Sequence, residues 1–78
     1  MTQKIKQDIN LGNNIRQLRL RSNMTQEAVT TALQLAGCSL SRSAYSQIEC
    51  GTYNIRVSEL SALCNIFQVD YNTLFQGI

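Results

Sequence analysis

The sequence predicts an all-α fold, a bundle of five helices, and three observations carry that reading. Apolar residues recur at the three- and four-residue spacing of a helix face, strand-like alternation is poor, and side chains suited to start or stop helices fall between the periodic segments. No repeat, low-complexity tract or long linker interrupts the pattern. The 78 residues allow one domain with a small core, in which roughly 60% of the unfolded chain's surface leaves water.

Asn10 is placed to cap the first helix, which runs from about Leu11 to Ser22 with Leu11, Ile15 and Leu18 inward and Arg16, Gln17, Arg19 and Arg21 around them. Asn23 and Met24 make a turn. Thr25 caps a second helix that continues to about Ala36. Glu27 stands in its first turn, where an acid meets the positive helix end, and Ala28, Val29, Ala32, Leu33 and Ala36 form its buried side. Gly37 ends it, and Leu40 plugs the next turn into the core. The third helix lies between Ser41 as cap and Gly51 as terminator. A fourth follows Ser58 and buries Leu60, Leu63, Ile66 and Phe67. A short fifth follows Asp70 and closes the base of the core with Tyr71, Leu74 and Phe75. Residues 1–9 form a polar extension with isolated Ile5 and Ile9, placed to fray, to lengthen the first helix or to meet a partner, and residues 10–78 form the domain.

The third helix carries the most information. Ala44, Tyr45 and Ile48 share an apolar stripe, which leaves Arg42, Ser43, Ser46, Gln47 and Cys50 facing outward. Hydroxyls, an amide and a guanidinium are donors and acceptors sized for base edges in a DNA major groove. An ordinary amphipathic surface helix has the same pattern, so this segment alone leaves both readings open.

Composition narrows the classes. No apolar run approaches the ~20 residues needed to cross a bilayer, so no membrane association is expected. Residues 1–10 hold no continuous apolar stretch of the kind a secretory signal needs, which points to the cytoplasm. Cys38, Cys50 and Cys64 are odd in number and widely spaced, and His is absent, so neither a disulfide framework nor a metal site is encouraged and no cofactor is expected. Cys64 falls among Leu60, Leu63 and Phe67 as a small core residue, whereas Cys38 and Cys50 fall near a turn and a helix end. The five acids fall in no motif that would pair two carboxylates at one site, and no glycine-rich phosphate loop is present. An enzyme is therefore not expected. The net charge of +2 is modest for a nucleic-acid binder, and its distribution matters more than its total.

Taken together, Leu11-Gly12-Asn13-Asn14-Ile15-Arg16-Gln17-Leu18-Arg19, Thr25-Gln26-Glu27, Ser41-Arg42-Ser43, Ile48-Glu49-Cys50-Gly51 and the stretch from Leu60 to Phe75 resemble the Xre/Cro-type helix-turn-helix domains of phage and bacterial repressors. The resemblance covers about residues 10 to 76 and implies a lambda-repressor-like bundle. It also implies that the third helix is the recognition helix, entering the major groove while the second lies across the DNA backbone. Arg42, Ser43 and Gln47 match the family's main base-reading positions, with Ser46 secondary; Arg suits guanine and Gln suits adenine. Arg42, at the helix start, can meet phosphate instead.

Gln26 matches a position that holds phosphate together with the second helix's unsatisfied N–H groups, which attract anions in any protein. Thr52, Asn54 and Arg56, in the loop after the third helix, match backbone-contacting positions that set register without reading sequence. Arg19 and Glu49 match an ion pair that joins the first and third helices, a structural role.

Two departures stand out. The segment from Thr25 to Glu49 is longer than is usual in the family, with Gln34 to Ser39 holding the excess, so either the second helix or the turn is extended. Ile55 stands where Pro is common, and Thr52-Tyr53 where basic residues often sit, which weakens the expected phosphate grip. The expected function is a sequence-specific regulator of transcription, a repressor acting on double-stranded DNA as a homodimer, with the fifth helix as the candidate interface. The alternative is a helix-turn-helix scaffold that holds a protein partner, in the manner of an antitoxin or anti-repressor component.

Overall fold

Helix starts follow the capping side chains. In the computed structural model of the protein, which describes residues 4–5 and 11–75, α1 spans Leu11–Arg21, α2 Gln26–Leu35, α3 Arg42–Cys50, α4 Val57–Phe67 and α5 Tyr71–Leu74. Thr25, Ser41 and Asp70 hold extended backbone just before α2, α3 and α5. Each accepts a hydrogen bond from the N–H three residues on, at 3.0 Å from Ala28, 3.0 Å from Ala44 and 2.8 Å from Thr73. The cap expected at Asn10 lies outside the described residues.

Helix ends share one device. Asn23, Gly37, Gly51 and Gln68 follow α1 to α4 in the left-handed region, with φ of 56°, 93°, 83° and 55°. The N–H of the next residue reaches back five positions: Met24 to the Arg19 carbonyl at 3.2 Å, Cys38 to Leu33 at 2.9 Å, Thr52 to Gln47 at 3.0 Å and Val69 to Cys64 at 3.0 Å. Gly51 adopts this conformation without a Cβ clash, whereas an ordinary side chain such as Gln68 holds it at a cost of about 1–2 kcal/mol.

Several expectations need correction. The α4 helix begins at Val57 rather than after Ser58, because the Glu59 carboxylate accepts the Arg56 N–H at 2.8 Å and so fixes Arg56 as the cap residue. In α2 the buried side is Val29, Thr30 and Leu33, while Ala28 and Ala36 are exposed. Thr30 can sit inside because its hydroxyl donates to the Gln26 carbonyl at 2.8 Å. Finally, β1 (Lys4–Ile5) pairs antiparallel with β2 (Ile55–Arg56), Lys4 opposite Arg56 and Ile5 opposite Ile55. A ladder of two residues per strand is too short to leave a periodic signal, and the architecture remains helical.

The core gathers around Ile15, Leu33, Tyr45, Ile48 and Leu63, each completely buried. The α5 helix closes one end, but not with the three residues expected: Leu74 is buried and its carbonyl accepts from the Asn14 side chain of α1 at 3.1 Å, Phe75 is half-buried, and Tyr71 is 46% exposed, because a single-turn helix turns only one side inward. Among the described residues no helix is long and apolar enough to cross a membrane.

The tightest packing is backbone against backbone. A Cβ on Gly12 in α1 would lie 2.4 Å from the Ile48 carbonyl oxygen and 2.6 Å from that of Glu49, both in the last turn of α3. Glycine is what lets the start of α1 lie on the end of α3. Gly12→Ala is therefore expected to destabilise the fold by about 1–3 kcal/mol through forced separation of the two helices. Thermal unfolding checks this, since each kcal/mol moves the midpoint by roughly 4–8 °C in a domain of this size.

Candidate nucleic-acid interface

The α3 helix divides into two sides, as its sequence requires. Tyr45 and Ile48 are completely buried and Ala44 is half-buried, whereas Arg42, Ser43, Gln47 and Cys50 are exposed and Ser46 is half-buried. Gln26 on α2 and Arg42, Ser43 and Ser46 on α3 line one shallow depression, so the structure brings the starts of the two helices to a common polar surface.

The added length between these helices lies in their connection. Residues 36–41 join α2 to α3, where a helix-turn-helix turn ordinarily takes 3–4 residues. The connection folds back on α2 and leaves the outer row of α3 open. Leu40 is buried, its carbonyl accepts from the Gln34 side chain at 2.7 Å, and its N–H donates to the Cys38 carbonyl at 2.9 Å.

Behind the polar surface, one carboxylate joins three helices. Arg19 of α1 binds Glu49 of α3 in a two-point contact along one edge of its guanidinium, with Nε to Oε2 at 2.7 Å and Nη2 to Oε1 at 3.2 Å. Gln26 of α2 donates to Oε1 at 3.1 Å, and Arg19 Nη1 donates to the Met24 carbonyl in the α1–α2 turn at 2.9 Å. The side chains of Arg19 and Glu49 are only 11% and 4% exposed. Burial works against the Glu49 charge, but the Arg19, Tyr45 and Gln26 side chains together bring its pKa below the usual carboxylate range. The hydrogen bond to Glu49 raises the Arg19 pKa, and burial followed by Glu49 pushes the Tyr45 phenol well above its ordinary value.

The loop after α3 is a second polar cluster. Thr52 and Asn54 are exposed. Tyr53 donates its hydroxyl to Glu59 Oε2 at 3.1 Å, and Glu59, 1% exposed, also takes the Arg56 N–H. Burial raises the Tyr53 pKa, with Glu59 adding to it. Arg56 is half-buried, with Nε enclosed and without a hydrogen bond, so its side chain stands further inside than Thr52 and Asn54. Among the described residues no three of His, Cys, Asp and Glu are grouped as metal ligands would be.

Sequence reasoning missed the close approach at Gly12 and the contact of Glu59 with Tyr53. A glycine inside a helix, about 1 kcal/mol worse than alanine, is itself a sign of close approach, and Glu three residues after Arg56 is a capping spacing.

Two helices in this arrangement, one open to solvent along a polar row and the other bringing its first residue to the same surface, define a helix-turn-helix domain. The chain belongs to the helix-turn-helix domain family, whose model matches residues 10–74. The fold is similar to the crystal structure of the restriction-modification controller protein C.AhdI from Aeromonas hydrophila, with a TM-score of 0.71 and 24% identity over 86% of this chain and 94% of that one. Among curated proteins nothing matches.

Replacing Arg19 by Met leaves Glu49 charged, buried and uncompensated, so urea denaturation at neutral pH should show a loss of about 3–5 kcal/mol. The pH dependence has a definite sign. Because the folded-state pKa of Glu49 lies below its ordinary 4.5, the stability it contributes is complete above that value and is lost as pH falls through the folded value. Asp70, lowered by the Thr73 N–H bond, acts in the same direction. Thermal scans from pH 7 to pH 2 should show this decline, less steep in Glu49→Gln.

Proposed function

We propose that the protein is a sequence-specific regulator of transcription that binds double-stranded DNA, with α3 in the major groove and α2 across the phosphate backbone. The carrying observation is the exposed row of Arg42, Ser43 and Gln47 on a helix whose opposite side is locked into the core. Arg42 and Gln47 are the base readers, suited to guanine and adenine, with Ser43 and Ser46 beside them. Gln26 spends one amide hydrogen on Glu49, which leaves its second N–H and the free N–H groups of the α2 start for a phosphate. Thr52, Asn54 and Arg56 belong to the backbone-contacting loop. Glu49 does not repel the duplex in this arrangement, because Arg19 neutralises it.

Residues 10–78 are the DNA-binding unit in this reading, and repression in the cytoplasm without a cofactor is its simplest output. With few basic residues in each copy, a homodimer reading two half-sites about one helical turn apart gains the affinity that one domain lacks. Tyr71, 46% exposed, and the half-buried Phe75 beside it support the α5 end as its interface.

Selection from a random duplex pool, followed by fluorescence anisotropy at two salt concentrations, tests the proposal. Salt-dependent binding and a palindromic consensus are expected. Arg42→Ala and Gln47→Ala should each weaken the selected site by about 5- to 150-fold and random DNA far less. Absence of salt-dependent binding to any duplex would favour a scaffold for a protein partner instead.

A further inference from the structure

We infer that Glu59, together with Tyr53, is a positioning device for the DNA-backbone contacts of the loop after the recognition helix; this rests on the DNA-binding reading above. Glu59, 1% exposed, has almost no surface with which to touch DNA, yet the loop is tied to it at two points. Its Oε2 takes the Tyr53 hydroxyl at 3.1 Å and its Oε1 takes the Arg56 N–H at 2.8 Å. At the other end Gly51, in the left-handed region, directs the Thr52 N–H back onto the Gln47 carbonyl at 3.0 Å. The β1 ladder holds Ile55 and Arg56 from the far side. Between these anchors only Thr52 and Asn54 present exposed side chains, and they sit at the end of α3 that carries Gln47 and Cys50.

A loop pinned in this way does not need to be ordered at the moment of binding. Ordering an exposed segment subtracts from affinity, and prior ordering removes that cost. The arrangement also gives Tyr53 a role in the loop. The side chain here gives up direct attraction for phosphate and instead uses its hydroxyl to fix its two neighbours. Contacts made to the DNA backbone set register and carry no sequence information, so the device acts on affinity for all duplexes alike.

The test compares the intact chain with Tyr53→Phe, which keeps the ring and removes the donor, and with Glu59→Gln, which keeps one acceptor oxygen. Anisotropy titrations of a selected duplex and a random duplex run at a temperature where circular dichroism shows every variant folded. Tyr53→Phe is expected to weaken both duplexes by the same factor, about threefold to tenfold, with the ratio between them unchanged. In a chain already carrying Thr52→Ala and Asn54→Ala, the same substitution should have no further effect, because it acts through those two side chains. Unchanged affinity in Tyr53→Phe, or a loss that adds fully to that of the double variant, overturns the inference. If the intact chain binds no duplex, the DNA-binding reading fails and takes this one with it, which is a different outcome from binding that ignores Tyr53.

Discussion

The buried Glu49 carboxylate is the constraint on which the placement of the other elements depends. A charge taken out of water costs several kcal/mol unless its lone pairs are satisfied, and the satisfying groups here come from two other helices: the Arg19 guanidinium on α1 and the Gln26 amide on α2. Arg19 in turn ties the α1–α2 turn through the Met24 carbonyl. Any rotation of α3 relative to α1 and α2 would break bonds that water cannot replace at that depth. For a domain whose net stability lies in the usual range of about 5–15 kcal/mol, a penalty of that size excludes most other arrangements.

Packing enforces the same geometry from the opposite direction. The α1 and α4 helices have 11 residues each and α3 has nine, lengths at which isolated helices are marginal in water. They persist because their ends are capped and their apolar sides share one core. Where Gly12 meets the carbonyls of Ile48 and Glu49, no side chain intervenes, so the distance between α1 and α3 is set by the backbones themselves. The ion pair and the close approach meet the same last turn of α3 from points about two turns apart on α1, and each makes the other's geometry the easiest one available.

Features settled within a few residues were legible in the sequence. Thr25, Ser41 and Asp70 cap the helices expected of them, and the alternation of Tyr45 and Ile48 with Arg42, Ser43 and Gln47 appears unaltered in the structure. Features that depend on which distant segments meet were not. The antiparallel pairing of Lys4–Ile5 with Ile55–Arg56 joins residues about fifty positions apart, and the role of Glu59 emerges only when Tyr53 is seen beside it. Ala28 and Ala36 failed as core residues because alanine satisfies a helical pattern on either side of a helix, whereas Thr30 went inside by returning its hydroxyl to its own backbone. Arg19 and Glu49 came within reach through the resemblance of the surrounding residues to a known family, since spacing alone does not pair positions thirty apart. The longer connection was visible, but its course against the end of α2, held by Gln34 and Leu40, was not.

The two sides of α3 share no residue. Tyr45, Ile48 and Glu49 anchor the helix, while Arg42, Ser43 and Gln47 contribute nothing to the core. If the outward row reads the target as proposed, target preference and folding are separable quantities in this domain. On the proposed DNA-binding reading, new side chains at those three outward positions would retarget it to other operators, on a scaffold whose melting behaviour stays constant across the set.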